Sequence, residues 1–74
     1  MKIKPIANNM TELTTENGTI VLFSYKTPVA GWDDIGAFRT AKHYSPTTTR
    51  HIDKYLGGKD MGRVVEQDYI NSLA

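Results

Sequence analysis

Seventy-four residues, no cysteine and a formal net charge of +1 leave room for one domain with a thin core and no disulfide framework. No apolar run approaches the roughly 20 residues that span a bilayer, and a cysteine-free chain suits a reducing, cytoplasmic setting. Nine basic side chains against eight acidic ones also argue against a binder that relies on strong phosphate neutralisation.

The first element signal is a hairpin. Met10–Glu16 and Thr19–Tyr25 flank Asn17-Gly18, a pair that tolerates the positive φ of a type I′ turn. A two-residue loop sets Thr15 opposite Ile20, Leu13 opposite Leu22 and Thr11 opposite Ser24. Leu13, Ile20 and Leu22 then share one face, with Met10, Val21, Phe23 and Tyr25 on the other. The run Ile20–Phe23 is apolar on both faces, which predicts a central strand covered from both sides. Thr27-Pro28 is expected to end it, because proline cannot donate to a ladder.

Val29–Gly36 reads as a loop carrying Trp32 and the pair Asp33-Asp34. A third strand is expected over Ala37–Tyr44. Its alternation turns either Phe38, Thr40, Lys42 and Tyr44 inward or Ala37, Arg39, Ala41 and His43; the aromatic set buries more area and is preferred. Ser45 as N-cap and Pro46 at the first helical position start a helix, which runs to about Leu56 and stops at Gly57-Gly58. Its apolar stripe is Thr48, Ile52, Tyr55 and Leu56. Lys59–Arg63 is a connector, and Val65, Tyr69, Ile70 and Leu73 recur at the spacing of a short final helix. The fold expected is α+β: a three-stranded antiparallel meander followed by two short helices packed on the sheet, all within one domain over residues 1–74.

The chemistry-bearing residues point away from catalysis. There is no cysteine nucleophile, no Gly-x-Ser-x-Gly elbow and no phosphate loop, since Gly57-Gly58-Lys59 follows a helix instead of leading into one. Asp33 and Asp34 are adjacent, a poor arrangement for facing carboxylates. His43 and His51 match no ligand spacing. No enzyme, catalytic residue, metal or cofactor is therefore expected. Two surfaces remain. Trp32 beside Asp33 and Asp34 forms either an exposed anchor for a protein partner or, with Val29 and Ile35, a flap folded over the sheet. Arg39, Lys42, Arg50 and Lys54 form a basic cluster that could contact nucleic-acid phosphates.

The segments Ser24-Tyr25-Lys26-Thr27-Pro28-Val29-Ala30 and Tyr44-Ser45-Pro46-Thr47-Thr48-Thr49-Arg50-His51-Ile52 resemble, with the tail Val65–Leu73, a group of small uncharacterised proteins of tailed bacteriophages. The resemblance spans the chain from about Leu13 onward and carries no established activity. It implies a phage accessory protein in the bacterial cytoplasm. The function expected is a non-enzymatic module that docks on a host or phage protein, such as a host enzyme or defence complex. The alternative is a nucleic-acid-binding module, and a homo-oligomer seamed by a strand edge is a third possibility.

Overall fold

The computed structural model describes residues 2–73. The elements are β1 (Lys2–Ala7), β2 (Met10–Thr14), β3 (Ile20–Ser24), β4 (Thr27–Trp32), β5 (Ala37–Thr40), α1 (Pro46–Leu56), β6 (Arg63–Val65) and α2 (Gln67–Leu73). The strands form one six-stranded sheet in sequence order. Every neighbouring pair is antiparallel except β5 and β6. The α+β class and two helices stand as expected, but Val65, expected in the final helix, ends β6, and the sheet is larger than a three-stranded meander.

The β2–β3 hairpin forms around Asn17-Gly18 with one residue more in its loop than a type I′ turn allows. The Thr15 amide donates to the Thr19 carbonyl at 2.8 Å and the Gly18 amide to the Thr15 carbonyl at 3.1 Å. Gly18 takes φ 89°, whereas Asn17 is not among the described residues at positive φ. This is a turn closed by a left-handed bulge residue. The extra residue moves the register by one, so Leu13 faces Val21, Glu12 faces Leu22 and Met10 faces Ser24. Because side chains alternate, the shift exchanges the partners of β2. Met10 joins Leu22 on one face, and Leu13 joins Val21 on the other.

Three strands lie outside the expected meander. β1 pairs along β2 despite Pro5, because it is an edge strand with a register break between Pro5 and Ala7. The reversal expected at Thr27-Pro28 falls earlier, at Tyr25-Lys26, and the chain returns as β4 where a loop was anticipated. Pro28 is accommodated by a bulge: Phe23 pairs with Pro28 and Leu22 with Ala30, which leaves Val29 between them. β6, within the expected connector and tail, pairs in parallel with β5, a pairing that needs a long crossover, and α1 supplies it.

β5 stops at Thr40, short of Tyr44. Phe38 and Thr40 are buried as preferred, whereas Lys42 and Tyr44 lie past the strand end and are exposed. α1 has the expected bounds. Ser45 accepts the Thr48 amide at 3.1 Å, and Gly57 caps the other end at φ 93° with its amide on the Asp53 carbonyl. Ile52 and Leu56 pack with Met10, Leu22, Val29 and Ala30 on one sheet face, with Tyr55 at the margin. On the other face Ile70 of α2 joins Leu13, Val21 and Phe38, with Leu73 and Val65 beside them. β3 is thus the central, doubly covered strand its composition called for. No described helix is long and apolar enough to cross a membrane.

Candidate protein-binding surface

The two faces are covered unequally. α2 has seven residues, so it is about 10 Å long, while six strands at about 4.8 Å spacing are far wider. It lies over β4 and β5, where Tyr69 meets the Phe38 ring edge-on at 5.8 Å. Its cluster reaches Leu13 of β2, but no residue of β1 is buried. There Ile3, paired with Leu13, remains 71% exposed. With Thr11, Leu13, Phe23, Tyr25 and Lys26 it lines a groove of about 320 Å³.

One end of this groove is held rigidly. Tyr25 sits at φ 58° and Asn9 at φ 61°, left-handed conformations that side-chain-bearing residues rarely adopt. The Tyr25 amide donates to the Asn9 carbonyl at 2.7 Å, which ties the β3–β4 turn to the β1–β2 turn. The Tyr25 ring stands 5.9 Å from that of His51. Below it, Ser24 Oγ bonds Thr48 Oγ1 at 3.1 Å and His51 Nδ1 at 2.8 Å, and the Ser45 hydroxyl donates to Thr48 Oγ1 at 3.2 Å. A hydroxyl beside an imidazole is the pairing of an activated nucleophile, but Ser24 is 2% exposed. The network anchors α1 to β3 on the sheet face away from the groove, and Tyr25 and Lys26 line the groove's end.

The anticipated site residues are dispersed. Trp32 ends β4 instead of riding on a loop. It pairs with Ile20 and Ala37, and its side chain stays exposed. Val29 is buried in the strand and Ile35 is exposed, so these three residues do not form a flap. Asp33 is a structural clamp, with its side chain only 4% exposed. Both Arg63 guanidinium nitrogens donate to its carboxylate. The Tyr69 hydroxyl donates at 2.5 Å, and the Ile35 and Gly36 amides donate at 3.0 and 3.1 Å. The Arg63 bond holds the Asp33 carboxyl well below the usual carboxylate range, against the opposing effect of burial. Asp34 alone of the pair is exposed.

The basic cluster loses one member for an equally structural reason. Arg39 projects from the face opposite Phe38, has an 11% exposed side chain and pairs with Asp53 at 2.6 Å. It also donates to the carbonyls of Lys59 and Met61, which fastens the α1–β6 connector to the sheet. Lys42, Arg50 and Lys54 are exposed. Tyr55, half-buried, donates to Glu12 Oε2 at 2.8 Å, and burial followed by that carboxylate raises its hydroxyl pKa. Among the described residues no group of three or more His, Cys, Asp or Glu could hold a metal ion.

Comparison with known families adds one finding. A family model described as a family of unknown function, DUF8033, matches residues 1–72. The chain belongs to DUF8033. No curated protein and no solved structure matches it. For this DUF8033 domain, then, the geometry supplies the functional argument. The groove escaped sequence reasoning because its walls come from three strands, one of which carries a proline. A signal was present nonetheless: Lys2-Ile3-Lys4 alternates like a half-exposed strand.

Proposed function

We propose that this domain is a non-enzymatic protein-binding module whose contact surface is the open half of the sheet. The observation that carries this reading is the apolar groove lined by Ile3, Leu13, Phe23 and Tyr25 beside an unpaired sheet edge. Exposed apolar side chains gathered at a rigid concavity are the usual material of a docking site. Sheet edges recruit partner strands. The resemblance to small tailed-phage proteins supports a host or phage protein in the bacterial cytoplasm as the partner, with inhibition of a host enzyme or defence complex as the outcome of docking.

Affinity capture from host cells with the intact protein and with Ile3→Asp tests this. One stoichiometric protein held by the wild type and released by the variant is expected. Equal recovery with both, or none with either, overturns it.

A second reading, nucleic-acid binding, keeps one specific support. Lys42, Arg50 and Lys54 are exposed, and none belongs to either ion pair among the described residues. It predicts binding that weakens steeply with salt, with a slope reduced by about 1 in Arg50→Ala. Absence of binding at low salt ends it.

A further inference from the structure

We propose that the groove's occupant is an extended segment of a partner protein in which apolar and acidic residues alternate, added as a strand along β1. This rests on the protein-binding reading above and names the chemistry of the partner. β1 is the outer strand of the sheet and all six of its residues are exposed. From Lys2 to Lys4 its alternation divides it, while Ile6, at the register break beyond Pro5, is a further exposed apolar side chain. Ile3 stands opposite Leu13 on the groove face, whereas Lys2 and Lys4 stand opposite Thr14 and Glu12 on the other face. Neither lysine belongs to either ion pair among the described residues.

An incoming strand hydrogen-bonded to β1 places every second side chain beside Ile3, over the groove, and the intervening ones beside Lys2 and Lys4. Apolar residues are favoured at the first set and carboxylates at the second. Lys26 at the end of the groove adds a further cation for the same segment. The edge also selects against the most available wrong partner, another copy of this chain. Two β1 strands laid side by side bring lysines against lysines. The same residues that repel a copy attract an acidic strand, which gives specificity by both routes at once.

Fluorescence anisotropy of the intact protein with three labelled dodecapeptides, valine alternating with glutamate, with serine or with lysine, tests the proposal. The glutamate peptide is expected to bind about tenfold tighter than the lysine peptide and to weaken as salt rises. Ile3→Asp should abolish that binding, and Lys2→Glu with Lys4→Glu should reverse the charge preference. Thermal melts of each variant establish that they fold. Equal binding of all three peptides, lost in Ile3→Asp, overturns the acidic-strand proposal and leaves the groove as a docking site. Failure of every peptide to bind overturns it as well, and the groove itself then falls only if the Ile3→Asp capture experiment also fails. A concentration-dependent dimer by sedimentation that Ile3→Asp dissolves would assign the edge to a second copy and overturn the proposal.

Discussion

Along β4 and β5 the buried side chains meet a helix or a neighbouring strand, and the one charged residue, Arg39, is paired with Asp53. Along β1 all six residues face solvent, although its backbone pairs with β2 as regularly as any other two strands up to Pro5. The contrast shows a small domain separating two tasks in space. The half bearing β4–β6 concentrates its tertiary fastenings, namely the Asp33–Arg63–Tyr69 clamp, the Arg39 strut and the Phe38 core. β1 adds no buried side chain, and Ile3 stays outside together with Tyr25 of the β3–β4 turn. Energetically, substitutions should therefore divide by half of the sheet.

The largest effect is expected from Phe38→Ala, which removes a fully buried ring that packs on α2 and lies over Gly31. Chemical denaturation should show a loss of about 3–5 kcal/mol. Gly31→Ala comes next, because an added Cβ would stand 2.0 Å from the Ile20 carbonyl oxygen and 2.8 Å from Phe38 Cζ. Both strands must part to admit it, at a cost of about 3 kcal/mol by the same measurement. A result near zero for either would mean that the closed half is not where stability resides.

Acid sharpens the comparison further. Arg63 lowers the folded-state pKa of Asp33 below its ordinary 3.8, so the contribution of this carboxylate is present above that value. It is lost as pH falls through the lowered one. Stability measured from neutrality downward should decline below about pH 5, and the Asp33→Asn variant should start lower and show a flatter acid limb. Parallel limbs would show that the clamp contributes nothing. The smallest effect is expected at Ile3→Ser, within about 0.5 kcal/mol of wild type, although the same change should impair partner binding. A substantial destabilisation would dissolve the division between the halves.

What could be read from the residues follows the range of the forces involved. α1 was legible to the residue because its caps, Ser45-Pro46 and Gly57-Gly58, act within one turn. The doubly covered β3 was legible because Ile20–Phe23 leaves no polar face. The hairpin's position is legible but its register is not, since Glu16-Asn17-Gly18 satisfies both a two-residue loop and a bulged one. The choice is made by which strands lie alongside, information that no local stretch holds. β4 was hidden by Pro28, tolerated only because the opposite strand permits a bulge. β6 has three residues and exists because α1 delivers it to the edge of β5. Asp33 and Arg39 read as exposed charges, a loop carboxylate and a member of the basic cluster. Their partners, Arg63 and Asp53, are 30 and 14 positions away, so only the fold could assign them.

The order of the strands bears on how the domain assembles. From β1 to β5 each strand bonds to its successor in the chain, so every ladder closes a short loop and loses little entropy in doing so. Such a meander can zip hairpin by hairpin, as a topology dominated by near neighbours favours rapid folding. The exception is the parallel seam, where Phe38 awaits Arg63 from beyond an entire helix. Topology predicts that this seam closes after the β1–β5 ribbon, which φ-values near zero at Arg63–Val65 would check.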